Sequence, residues 1–156
     1  MTKLSSLTVF ALLAACDGGD LSPRGAAERS ITLTCSKAHT CRDSFPPNQG
    51  FEFTDIYQNT EGECTTFFKA QLGEEALLAS VDAGRILYDG ADAAVCLDFF
   101  SKLTCAQFWD PQHTARPTEC DTAFIGTVAD GSTCTIQDDC AVEQSSCNDT
   151  TKLCGP

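Results

Sequence analysis

The chain is 156 residues long and carries 22 acidic against 10 basic side chains, a formal net charge of −12. Such an acidic surface repels phosphate polyanions and anionic lipid headgroups, which argues against nucleic-acid binding and against direct electrostatic adsorption to membranes. Eleven cysteines, never closer than five intervening residues, also lack the C-x-x-C spacing of zinc knuckles and thioredoxin-like redox pairs.

Ahead of Cys16 the only charge is Lys3, and residues 4–15 are apolar apart from Ser5, Ser6 and Thr8. A stretch this short fits the apolar region of an export signal and falls below the roughly 20 residues a membrane-spanning helix needs. The run Leu12, Leu13, Ala14, Ala15, Cys16 resembles the lipobox of bacterial lipoproteins, in which the cysteine becomes the lipid-modified first residue. On that resemblance residues 1–15 are a lipoprotein signal peptide, Cys16 is the lipid attachment site, and the chain is exported and lipid-anchored to the bacterial cell envelope. Ordinary signal cleavage and a chain that is not exported are the alternatives. Lipidation of one cysteine leaves ten, an even set, and export favours a disulfide framework over reactive thiols.

Residues 16–25, with three Gly and two Asp, read as a flexible tether holding the following domain on the order of 15–20 Å from the membrane surface. Helical periodicity spans residues 26–44, with Ile31, Cys35 and Ala38 on one stripe, and Phe45-Pro46-Pro47 stops it. Inside one helix Cys35 and Cys41 would lie about 9 Å apart along the axis, beyond disulfide reach, so each pairs elsewhere.

Residues 48–59 read as a loop carrying Phe51, Phe53 and Tyr57. Thr60 and Glu63 have capping-box spacing for a helix that turns Cys64, Phe67, Phe68 and Leu72 inward, with Gly73 at its end. Residues 74–82 form a short helix burying Leu77, Leu78 and Val81. Residues 85–88 are extended, and Asp89 caps a helix that runs to Leu103 and faces Ala93, Cys96, Leu97, Phe100 and Leu103 to the core. Phe108 and Trp109 lie just beyond Cys105, before a loop marked by Pro111 and Pro117. Cys35, Cys41, Cys64, Cys96, Cys105 and Cys120 staple this region through one of 15 possible connectivities.

After Cys120 the character changes. Residues 124–128 are β-prone, residues 129–132 read as a turn, and the remainder holds Cys134, Cys140, Cys147 and Cys154 with few large apolar side chains. Four cysteines permit three pairings. The fold class is therefore mainly α: a small disulfide-rich domain of three to four short helices over residues 26–120, with a C-terminal cysteine-rich β/loop module over residues 121–156.

The run from Gly131 through Cys134 to Cys140, followed by Cys147, Cys154 and Gly155, resembles a small dickkopf-like cysteine module. Such modules close Cys-rich bacterial lipoproteins of the myxobacterial type. The segments 83–89 and 124–128, with Cys96 and Leu97, are similar to that group as well. The resemblance implies an envelope-anchored, disulfide-rich protein and an alternating tail pairing, Cys134 with Cys147 and Cys140 with Cys154. It implies no activity and no catalytic residue.

Catalytic and metal signals are weak. His39 and His113 are the two near-neutral bases, each better read as a lone surface histidine. No G-x-S-x-G, H-E-x-x-H or phosphate-binding glycine loop occurs. Asp130, Asp138 and Asp139, like Asp89 and Asp92, miss the spacing of a calcium loop and read as capping and surface charge. Asn148 opens a glycosylation sequon that is coincidental in a bacterial setting. The Phe-rich stripe reads as core packing rather than a pocket.

The expected protein has no catalytic residues, cofactor or metal, and its partners are the membrane, through the anchor, and a protein or envelope polymer. Its expected role is a non-enzymatic interaction or structural module. A small-ligand-binding lipoprotein and an extracytoplasmic hydrolase are the alternatives.

Overall fold

A computed structural model describes residues 21–156 except 48, 49, 72, 111–113 and 143. The leader, Cys16, Leu72, Pro111 and His113 therefore lie outside the described residues. Within them the fold is mainly helical and disulfide-rich, as expected. Four helices of nine residues or more carry it, with three of four or five residues beside them.

The spine is α1, Pro23–Thr40, which starts three residues before the periodicity suggested and ends four earlier. Ser22 caps it by accepting from the Gly25 N–H at 3.1 Å, and Pro23 sits in the first turn, where its missing N–H costs nothing. Residues 23–25 are thus helix and not tether. At the other end Cys41 caps the helix, and a 3-10 turn, Arg42–Ser44, follows.

Residues 48–59 are not all loop, because α2, Phe53–Tyr57, forms there. The Asp55 carboxylate accepts from the Glu52 N–H at 2.7 Å and secures its start. The helix α3, Glu61–Gln71, begins with the expected reciprocal pair: Thr60 N–H to Glu63 at 3.1 Å and Glu63 N–H to the Thr60 hydroxyl at 3.2 Å. Gly73, at φ 58°, takes the left-handed conformation that joins α3 to α4, Glu74–Asp82. Its expected buried side differs, since Leu77, Leu78 and Val81 are half-buried and Ser80 is the residue fully enclosed.

The strand β1, Ile86–Tyr88, pairs antiparallel with β2, Phe124–Gly126, placing Leu87 opposite Ile125. Asp89 caps α5, Gly90–Lys102, by accepting from Ala91 and Asp92 N–H groups at 2.9 and 3.0 Å. α5 lies along α1 in the same direction: Ala26, Ala93, Leu97 and Ala123 share a core cluster near one end, and Lys37 Nζ donates to the Leu103 carbonyl near the other. Two short helices, α6 at Cys105–Trp109 and α7 at Glu119–Thr122, complete the body. The tail adds a second two-stranded ribbon, β3 at Ser146–Cys147 with β4 at Cys154–Gly155. The expected turn at 129–132 is closed by Ser132 N–H on the Ala129 carbonyl.

All ten cysteines of the described region are paired: Cys35–Cys64, Cys41–Cys105, Cys96–Cys120, Cys134–Cys147 and Cys140–Cys154. Cys35 and Cys41 pair apart, as helix geometry requires. Fully buried side chains of any size are few, with Ile86 the largest and Cys35 and Cys64 among them, so cross-links substitute for a large apolar core. The Cys35–Cys64 bond joins positions 29 residues apart, for which the chain-entropy model gives about 3–4 kcal/mol. Replacing both cysteines by alanine is expected to lower stability by about that amount, read as a reduced denaturant midpoint with a somewhat steeper slope, because the unfolded chain is no longer held compact by the cross-link.

Candidate functional site

The far end of α1 gathers the aromatic side chains. Cys41 ends that helix and is bonded to Cys105, the first residue of α6, so the disulfide delivers Phe108 and Trp109 to the end of the spine. Thr104 and Gln107 cap α6 reciprocally, a three-residue spacing visible in the sequence, so Phe108 and Trp109 lie on a helix. Trp109 Nε1 donates to the Cys41 carbonyl at 3.1 Å. Phe45 packs edge-on against Trp109, with ring centroids 5.2 Å apart, and against Phe53 at 5.6 Å. Tyr57 contacts both Phe53 and Trp109. Burial of its phenol pushes the Tyr57 pKa up, so the hydroxyl stays protonated. Above Phe53, the Arg42 guanidinium lies 4.9 Å from the ring centroid, a cation–π contact.

Two open clefts flank this cluster and share Phe108. The first, about 360 Å³, is walled by Phe99, Phe100, Leu103 and Phe108, with Gln107, Thr114 and Arg116 on its polar side. The second, about 220 Å³, lies among Phe45, Phe51, Ile56, Tyr57 and Trp109. The Phe-rich stripe therefore does more than fill a core. Phe100, expected inward, is half-buried and lines the first cleft. Charges near it are already matched: Arg116 pairs with Asp121, and Lys37 answers the carbonyl end of α5.

His39 has a structural task. Its ring packs edge-on against Phe53 at 5.2 Å, and Nε2 lies 3.0 Å from the Tyr57 carbonyl, which makes that nitrogen the donor. Among the described residues no hydroxyl or carboxylate is bonded to it, so these residues do not make it part of a hydrolase constellation. The sulfurs of Cys134, Cys140 and Cys154 converge within 4.8 Å, yet all are consumed in disulfides and offer no thiolate to a metal. Asn148 Oδ1 accepts from the Thr150 and Thr151 N–H groups, each at 2.9 Å, closing a local turn.

The residue that sequence reasoning misplaced is Asp139. Expected on the surface, it is 0% exposed. Its Oδ2 accepts from Arg85 Nε at 3.0 Å and from the backbone N–H groups of Thr135 and Ile136 at 2.6 and 3.3 Å. Arg85 Nη2 donates to the Ser80 hydroxyl at 3.0 Å, which accounts for the burial of a serine where leucines were expected. Oδ1 has no partner at full hydrogen-bonding geometry, although the Ser80 hydroxyl still favours the charged form. Burial works against ionisation here. It is outweighed by Ser80, the two backbone donors and the Arg85 charge, so the carboxyl sits below its ordinary 3.8.

No protein-family model, curated protein or solved structure matches the chain. Replacing Trp109 by phenylalanine keeps the ring packing and removes one hydrogen bond, while Ser44 continues to satisfy the Cys41 carbonyl. The expected cost is about 0.5–1.5 kcal/mol in urea unfolding followed by circular dichroism.

Proposed function

We propose that the protein is an exported, non-enzymatic interaction module displayed from a lipid on Cys16. The observation that carries this reading is a small body, cross-linked throughout, with an open aromatic face and no catalytic constellation among the described residues. Multiple disulfides fit an extracytoplasmic setting. No described helix is long and apolar enough to cross a membrane. The described chain joins the body at Leu21, packed beside the start of α1, and the aromatic clefts lie at the other end of this 18-residue helix, about 25 Å away. The point where the described chain enters the body and the aromatic face thus occupy opposite ends of the spine.

Aromatic side chains on a rigid support lose little conformational freedom on contact and supply much apolar area, the usual anchors of protein interfaces. The cleft beside Phe99 and Phe108 also sustains a second reading, binding of a small apolar ligand. Its open form favours a partner surface over an enclosing ligand pocket.

Intact-mass and non-reducing peptide mass spectrometry on protein extracted from its native membrane tests the anchor. The expected N-terminal peptide begins at an acylated Cys16, with the other ten cysteines oxidised. An unmodified N-terminus upstream of Cys16, or several free thiols, overturns the proposal. Crosslinking in intact cells is expected to capture a partner through the aromatic face, with yield reduced at least several-fold by Phe108→Ala. Unchanged capture removes that face as the contact.

A further inference from the structure

The five disulfides fall into two sets that never meet. Three close the helical body, between residues 35 and 120, and two close the tail, between residues 134 and 154. Among its described residues the tail contributes no large buried apolar side chain to the joint: Val142 and Leu153 are 49% and 39% exposed, and Ile136 is half-buried. Hydrophobic burial therefore does little to hold it down.

What holds it is polar and close-fitting. The body supplies Arg85 and Ser80, and the tail supplies Asp139, fully enclosed between them. Beside this pair the Val128 N–H donates to the Asp139 carbonyl at 2.9 Å, and the Ala141 N–H to the Val128 carbonyl at 2.8 Å. Gly126 permits the approach, since a Cβ there would stand 2.3 Å from the Cys140 carbonyl oxygen and 2.6 Å from that of Asp138.

We propose that residues 129–156 form a separately stapled cap that lifts from the body as a unit, with the Arg85–Asp139 pair as its latch. A buried carboxylate is stable only while its partners surround it, so loss of either partner is strongly unfavourable to the closed state. Neither disulfide set resists the movement, because no covalent link other than the main chain crosses the joint. Lifting the cap bares the backbone edge of residues 126–128, which residues 138–141 now cover. The two staples inside the cap, each closing a loop of about 15 residues, keep it folded when it is free.

The latch has a definite sign with pH. Among the described residues Arg85 is the charge acting on the Asp139 carboxyl, and the neighbouring Asp138 is exposed. A carboxyl held below its ordinary value stabilises the closed form fully above that value, and the contribution disappears as pH falls through the lowered one. The cap is therefore closed at neutral pH and released in strong acid.

Hydrogen exchange of the full oxidised protein, read by mass spectrometry, tests the latch. In Asp139→Asn at neutral pH, peptides covering residues 128–141 are expected to exchange at least tenfold faster. Peptides from α1 and α3 are expected to be unchanged, and both tail disulfides to remain intact. Unchanged exchange at 128–141, or equal loss of protection in α1 and α3, overturns the proposal. Gly126→Ala, which leaves the ion pair in place and puts a methyl group into the joint, is expected to open the same peptides. If neither variant accumulates, acid titration of the wild-type protein, corrected for intrinsic exchange rates, decides: the cap opens before the body, or the two open together and the latch is refuted.

Discussion

Two disulfides on one helix set the position of everything else in this protein. Cys35 ties α1 to α3, and Cys41, at the end of α1, ties it to α6. Few of the described large apolar side chains are fully buried, and several of the fully buried groups are small, polar or sulfur-bearing. Conformational entropy must then be reduced in the unfolded chain instead of being offset wholly by apolar burial. The consequence is a rigid scaffold in which large aromatic residues are free to line the surface.

That division of labour explains the aromatic face. In a protein held together by hydrophobic burial, Phe99, Phe100, Phe108 and Trp109 would be consumed in the interior. Here they ring two clefts at the end of α1, oriented by T-shaped contacts and by the Trp109 bond to Cys41. Apolar surface of this kind on an otherwise strongly acidic molecule directs association through shape and burial, while net charge discourages non-specific contact with other acidic surfaces.

The joint between body and tail follows a different logic. Where disulfides are absent and apolar contacts thin, a buried ion pair and a close backbone approach at Gly126 provide the fit. Such a pair contributes specificity of docking more than net stability, because desolvating two charges consumes much of their attraction. The protein thus combines covalently closed interiors with a non-covalent seam.

Much of this was legible in the sequence. Thr60 with Glu63, Asp89 and Gly73 announced helix ends, because capping depends on residues three or four positions apart. The mainly helical, disulfide-rich class followed from periodicity and cysteine count. Short-range signals also stand at Ser22 with Pro23, at Glu52 with Asp55 and at Thr104 with Gln107, and they mark the starts of α1, α2 and α6. Tertiary structure alone decided which of the 15 connectivities the six cysteines from Cys35 to Cys120 adopt, since that depends on segments meeting tens of residues apart. It alone buried Asp139: an aspartate in an acidic, cysteine-rich tail carries no local mark of the arginine and serine, more than fifty residues earlier, that enclose it.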